Sequence, residues 1–519
     1  MTGRYDVAVV GSGFAGSLMA MVAQRLGLRV ILLERGTHPR MAIGESSTPL
    51  SNLLLEELAT RYNLPSILPL CKWGSWRKTH PELACGLKRG FTFFHHTPGA
   101  GAASLADRAN QLFVAASPHN DIGDTHWYRA DFDHFLVREA GQQGIEYLDE
   151  VDLHDFRDSG DEIRLKGNRR DASIEVSAQF VIDATGPRGF LHRALNLGDL
   201  PLPDLPPTQA IYSHFSGVKP TDCRLADTPP YPLDDAAVHH IFDGGWVWVL
   251  RFSNGITSAG LAATDGFMAQ LDTADPQTAW QQVLRKFPAL HAQFADAQPV
   301  QPFRYIPRLS FRSAAVAGPN WALLPSAAGF VDPLLSTGFP LALLGISRLA
   351  TVIERGWDSP AFTAQLESYA AQTDAELLAT SRLIAALYAN MASFTVFSAL
   401  TLLYFTTASY SETAHRLGKP HLATGFLLHD HQQFGPASQQ LIERAAHGVP
   451  ARESEAFIRD VHRAIAPFDV AGLTRLDRRN WYPVDTDDLF RSASRLGATR
   501  EEISQMLERC GFCQPTSSA

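Results

Sequence analysis

Cysteine is scarce in this chain, with five in 519 residues. That excludes a disulfide framework and fits a reducing cytoplasm. Cys510 and Cys513 stand at C-x-x-C spacing, yet neither a second pair nor a strand-helix context accompanies them. They read as ordinary thiols near a tail, and no metal is expected there. Basic blocks are missing too: the net charge is −9, which argues against nucleic acid as a partner. Internal repeats and low-complexity tracts are absent, which excludes solenoids and repeat arrays. No signal-peptide pattern precedes the first apolar run, so a cytoplasmic location is expected. Finally, no charge falls between Arg382 and Glu412. The run would span a bilayer by length, but Asn390, Ser393, Thr395, Ser398 and Thr401 interrupt it. We read it as a buried helix or apolar channel wall, with lipid-surface contact second and a true span last.

What is present begins at once. Tyr5 to Val10 form an apolar run of strand length, followed by Gly11-Ser12-Gly13-Phe14-Ala15-Gly16 and a helical pattern to about Leu26. A second apolar run, Val30 to Leu33, ends in Glu34 and Arg35. This is a β-turn-α-β unit for a dinucleotide. Gly11 permits the tight turn, Gly13 lets the backbone approach a pyrophosphate, and Gly16 lets helix and strand pack. Phe14 and Ala15 open the helix, whose free N–H groups face the phosphates. Glu34 stands where a carboxylate would accept ribose hydroxyls.

Further along, Ser47 and Thr48 are caps for a helix opened by Pro49. Residues 86–94 read as one strand carrying Lys88 beside aromatics, and residues 97–126 as a long loop, a candidate lid. Trp127 to Asp133 open a helix that carries Arg129. The run to Ile182-Asp183-Ala184-Thr185-Gly186 is a strand closing in a glycine turn. Residues 190–315 are proline-rich with short β-like runs, including Trp246 to Phe252, and read as an inserted antiparallel sheet. Trp321 to Leu324 form a buried strand, and a helix is expected from Phe339. Beyond about 355 the pattern is helical, with a loop around 418–435. The expected fold is α/β, in four parts: 1–189 and 316–355 as the two portions of a dinucleotide domain, 190–315 as a substrate region, and 356–519 as a helical cap.

The fingerprint at 11–16, Gly44-Glu45-Ser46-Ser47-Thr48-Pro49, Arg129 in a Tyr-Arg-x-x-Phe-Asp context, Asp183-Ala184-Thr185-Gly186 and Asp332-Pro333-x-x-Ser336-Thr337-Gly338 occur in that order and together resemble the FAD-dependent monooxygenase superfamily, with its glutathione-reductase-type Rossmann FAD domain. Within it the chain is most similar to the flavin-dependent halogenases. The resemblance covers about residues 1–350. It implies FAD, held by the fingerprint, Glu34, Arg35, Ser46, Ser47, Arg129, Asp183, Gly186, Asp332, Pro333 and Gly338. It implies Lys88 as the catalytic residue that holds or carries oxidised halogen, since a desolvated amine can hydrogen-bond hypohalous acid. It implies chloride or bromide near Thr337 and Gly338. Trp246 and Trp248 resemble the paired tryptophans of the halogenase W-x-W-x-I-P motif and, with Phe93 and His95, are candidate pocket residues. FADH2 would come from a separate NAD(P)H-dependent flavin reductase, as no second dinucleotide fingerprint is present. Reduced flavin would form a C4a-hydroperoxide, halide would become hypohalous acid, and a small or carrier-bound phenol or pyrrole would be halogenated.

Three positions depart from the family pattern. Leu250-Arg251 replaces Ile-Pro, Pro325-Ser326 replaces the Gly-Asp whose Asp binds the ribityl chain, and Leu335 replaces the glutamate of tryptophan-specific enzymes. Two readings therefore stand beside halogenation: a monooxygenase acting on a large apolar substrate, and a flavin-binding protein that has lost catalysis.

Overall fold

The structure is a computed structural model that describes residues 4–100, 108–221, 227–357 and 359–512. Val7, Ala8 and Val9 are fully buried, as expected of a strand covered on both faces. Arg4–Val10 lies at the centre of the first sheet, parallel to Val30–Leu33 on one side and Ala172–Asp183 on the other. Trp321–Leu323 extends the sheet beyond Ala172–Asp183, and Glu146–Leu148 beyond Val30–Leu33, again parallel. Val10, Leu33, Asp183 and Leu323 thus end at one edge, where the crevice of such a sheet lies. The helix Phe14–Arg25 leaves that edge, buried from Phe14 to Ala23.

The second sheet has the strand order Gln298–Pro299, Thr208–Ser216, Thr257–Thr264, Gly245–Arg251, Ala237–Phe242, Gly90–His95, Gln111–Ala115, Trp481–Tyr482. The antiparallel sheet expected within 190–315 is therefore present, and strands from outside that block widen it. Two pairings in it are parallel: Ala237–Phe242 with Gly90–His95, and Gln111–Ala115 with Trp481–Tyr482. Alternation along Gly245–Arg251 separates its two faces. Val247 and Val249 join one apolar cluster with Trp280 and Phe287, while Trp246, Trp248 and Leu250 belong to the main core on the other side.

The single strand expected over 86–94 divides at Arg89. Cys85–Lys88 pairs with Asp124–Trp127, while Gly90–His95 joins the large sheet. The guanidinium of Arg89 is drawn aside, with its NH1 and NH2 donating to Asn120 Oδ1 at 2.8 Å and Ser117 O at 3.0 Å. Crowding holds the division: a Cβ on Gly86 would lie 1.9 Å from Arg251 O, and one on Gly90 2.3 Å from Val114 O. The 97–126 stretch is likewise not one loop, because it contains Gln111–Ala115 and the start of Asp124–Trp127. Residues 101–107 of the expected lid lie outside the described residues, as does Cys513. Cys510 is a buried free thiol.

Of the two expected caps, Thr48 caps the helix Pro49–Arg61, its hydroxyl accepting from Ser51 N. The uncharged run after Arg382 is not one span. It forms the ends of two helices, Phe362–Ala389 and Phe394–Arg416, broken at a polar knot. Asn390 Nδ2 donates to Ala386 O at 2.7 Å and Ala445 O at 2.8 Å, and Asn390 Oδ1 accepts from Val449 N at 2.8 Å. Both helices are largely buried there. Among the described residues one helix, Leu334–Gly356, is long and apolar enough to cross a membrane, and 61% of its apolar window is buried.

Candidate active site

A cavity of about 710 Å³ opens at the sheet edge. It runs from Glu34 past Gly11 and Gly13 to the turn at 332–338, and Trp246, Trp248 and His239 close its far wall. At the near end Glu34 Oε2 accepts from Ser12 N at 2.9 Å, and Oε1 from Gly36 N at 2.8 Å. Burial pushes this carboxyl up, but the Arg40 guanidinium and the hydrogen bonds from Gly36 and Ser12 outweigh it and hold the pKa below the ordinary value. A carboxylate stays ionised there.

The glycines divide by task. Gly11 has φ +98°, and a Cβ on it would meet Ala184 O at 2.7 Å. On Gly16 it would lie 1.9 Å from Gly11 O, whereas on Gly13 the nearest atom is 3.6 Å away. Gly11 and Gly16 serve the fold, and Gly13 leaves space to the cavity. Arg129 forms one wall. Its Nε and NH2 grip Asp133 at 2.7 and 2.8 Å, and its NH1 donates to Gly44 O at 2.9 Å, fixing the loop that carries Ser46.

The 332–338 turn is tight: Leu335 and Ser336 have φ +65° and +56°, left-handed values uncommon for such residues. Asp332 Oδ1 accepts from Leu334 N and Oδ2 from Tyr388 Oη, both at 2.9 Å. Burial raises this carboxyl to about 6 against those hydrogen bonds. Asp332, Pro333, Ser336, Thr337 and Gly338 all line the cavity, and a Cβ on Gly338 would meet nothing within 4 Å. The helix Gly338–Gly356 starts here, so unpaired N–H groups gather beside open space.

Other expected residues fall elsewhere. Asp183 is fully buried behind the cavity and holds the turn, its carboxylate accepting from Thr185 N at 2.8 Å and Leu191 N at 2.6 Å, while Gly186 reaches the cavity. Ser47 is buried, with Oγ donating to Thr125 O at 2.7 Å; Ser46 and Arg35 do line the cavity. Phe93 stacks behind His239 with ring centroids 4.4 Å apart, and His95 is held 3.1 Å from Met391 O; neither lines the cavity. Pro325 and Ser326 line it, and Pro325 packs where a side chain on Gly345 would clash, at 2.2 Å.

Lys88 is fully buried one layer behind the cavity. Its ammonium donates to Ser46 Oγ at 2.8 Å and to Ser47 O, and sits 3.7 Å from the centroid of Phe91. Its strand partner across Cys85–Lys88 and Asp124–Trp127 is Asp124, whose Oδ1 accepts from Asn52 at 2.8 Å and whose Oδ2 has no partner among the described residues. Burial lowers the lysine, with Asp124 opposing, and raises the aspartate, with Lys88 opposing. The two titrate as a pair. Asp124, His239 and Tyr388 were missed from the sequence. The first lay in a presumed loop, the second unmarked within the proline-rich 190–315 block, the third in an apolar run. Only Glu45, buried and 2.8 Å from His214, carried a signal, inside the Gly44–Pro49 motif.

A carboxylate at one end, a glycine-lined helix start in the middle and an N–H-rich turn at the other end fit FAD. Residues 6–305 match the family model for FAD-dependent oxidoreductases. The chain is 28% identical over 385 residues to the monodechloroaminopyrrolnitrin halogenase PrnC of Pseudomonas fluorescens, covering 72% of this chain and 66% of that protein. It is 30% identical over 348 residues to the tetracycline 7-halogenase of Kitasatospora aureofaciens, covering 64% of this chain and 60% of that one. The matches thus span a little under two thirds of these relatives. The crystal structure of halogenase PltM in complex with phloroglucinol and FAD superposes with a TM-score of 0.81 at 25% identity, over 92% of this chain and 99% of that one.

Proposed function

This chain belongs to the FAD-dependent oxidoreductases and, within them, to the flavin-dependent halogenase family; from that premise we propose that it halogenates an electron-rich aromatic compound, a phenol or pyrrole, free or carrier-bound. The observation that carries this reading is Lys88: a buried amine one hydrogen bond from Ser46, which lines the cavity, and against Phe91, outside it. Bound in its reduced form, FAD would supply the two electrons that activate O2 and so the oxidising power that converts chloride or bromide to hypohalous acid.

The chain's own residues do the rest. Glu34 receives the ribose and Gly13 admits the pyrophosphate. The N–H groups around Thr337 and Gly338 hold halide by partial positive charge. Trp246, Trp248 and His239 wall off bulk water, which keeps a diffusible oxidant from indiscriminate reaction. Lys88, outside the cavity behind Ser46, takes hypohalous acid passed through that wall and presents it to the ring, a positioning contribution. Relatives support the substrate class: one is named a pyrrole-2-carbonyl carrier-protein chlorinase, and PltM was crystallised with phloroglucinol, a phenol. We assign the supply of FADH2 to a separate NAD(P)H-dependent reductase and, from the buried free thiols, the setting to the cytoplasm.

The test is purified protein with FADH2, O2 and bromide or chloride against a panel of phenols and pyrroles, read by the halogen isotope pattern in mass spectra. Products bearing only hydroxyl would overturn the reading in favour of a monooxygenase, and failure to take up FAD would point to a chain without catalysis.

A further inference from the structure

We propose that Tyr388 is a positioning residue that ties the indole of Trp246 to Asp332 and so holds the cavity's far wall against the 332–338 turn. Three regions far apart in sequence meet at its hydroxyl. Trp246 Nε1 lies 3.2 Å from Tyr388 Oη, and Tyr388 Oη lies 2.9 Å from Asp332 Oδ2. An indole N–H can only donate. The Tyr388 oxygen therefore accepts from Trp246 and spends its single proton on the carboxylate, whose other oxygen takes the Leu334 N–H. Strand Gly245–Arg251, helix Phe362–Ala389 and the turn are joined in one directed chain.

Both ends of the chain line the cavity, whereas Tyr388 does not. It is 5% exposed and held among apolar neighbours. Burial and the Asp332 carboxylate both push its phenol well above the ordinary value, so it serves as a fixed hydrogen-bond relay and not as a base. What it positions is specific. Trp246 stacks on His239 with centroids 5.2 Å apart, and His239 stacks on Phe93 at 4.4 Å. An indole that swings away would breach the partition between the cavity and the Phe91–Phe93 row beside Lys88.

This rests on the halogenase reading, so two readouts are used. The first is coupling. In uncoupled turnover the two electrons of reduced flavin and two protons convert O2 to H2O2, and no carbon–halogen bond forms. Tyr388→Phe keeps the ring and removes both hydrogen bonds. The ratio of halogenated product to H2O2 is expected to fall by about thirtyfold, the weight of two lost buried hydrogen bonds, while the rate of FADH2 oxidation holds. The second needs no turnover. In protein without FAD, the Trp246 contribution to fluorescence, isolated by subtracting Trp246→Phe, becomes more accessible to acrylamide in Tyr388→Phe. Trp246→Phe, which deletes only the indole end, lowers the coupling ratio too, and the double variant adds nothing to it. Unchanged quenching in Tyr388→Phe overturns the tie even if the wild-type protein proves not to halogenate. Additive effects in the double variant overturn it as well. If wild-type protein fails to halogenate but quenching rises, the tie stands and the halogenase reading falls.

Discussion

Replacing Lys88 with methionine separates a catalytic lysine from a structural one. The stem length is kept and the amine is lost. Two hydrogen bonds go, to Ser46 Oγ and Ser47 O. Each bond to a charged group contributes about 1.5–3 kcal/mol. Against that stands the cost of burying an ammonium, several kcal/mol even after relaxation. Those two terms offset one another, but the change strips buried Asp124 of its charge partner, so unfolding free energy should fall by about 3–5 kcal/mol, the cost of breaking a buried pair. Halogenation should fall by about 10²-fold or more, the cost of losing a positioning contact at the reacting atoms. FADH2 oxidation should persist, because Lys88 lies behind Ser46 and not in the cavity. The assay pairs product mass spectra with flavin absorbance and thermal melts. Halogenation within tenfold of wild type would refute the catalytic role. A parallel loss of flavin oxidation would refute the placement. Asp124→Asn adds a sign to check. Burial lowers Lys88 to about 7 from 10.5, with Asp124 opposing. Removing that carboxylate lets the proton leave at still lower pH, so the corresponding limb of the rate profile shifts to lower pH.

Two further outcomes follow from the same packing. Gly13→Ala should fold normally, its Cβ having no neighbour nearer than 3.6 Å, yet bind FAD far more weakly by filling space beside the pyrophosphate, whereas Gly16→Ala, 1.9 Å from Gly11 O, should accumulate poorly; equal folding yields would contradict this. Burial lowers His96 to about 4, and His126 and His239 to about 3, from 6.5. The native state therefore binds fewer protons than the unfolded chain below pH 6.5, and stability present above that value drains as pH falls toward 3, at about 1.4 kcal/mol per pH unit per histidine; a urea midpoint flat between pH 6.5 and 4.5 would refute it.

The cofactor half of the site was legible because its contacts are local. Strand, turn, helix and acid lie within residues 5–34, and each residue's task follows from its place in that unit. The reaction half was not. Lys88 could be singled out, but its partners Ser46, Ser47 and Asp124 come from segments 36 to 42 positions away, joined by a strand pairing that a run of aromatics concealed. Residues 86–94 look like one strand, since alternation is blind to a change of partner at Arg89. The uncharged run after Arg382 looked long enough to span a bilayer because hydropathy does not register that one asparagine satisfies three backbone groups and breaks the helix.

By itself, then, the sequence determined the dinucleotide unit and the buried character of the strands, both properties of short-range sterics and periodicity. Tertiary structure alone decided that Trp246, Tyr388 and Asp332 form one chain, that Lys88 stands a layer behind the cavity, and that Asp183 supports the turn instead of reaching the cofactor site. Those outcomes depend on which faces of distant segments are pressed together, and burial of polar groups leaves few ways to satisfy their hydrogen bonds once they are.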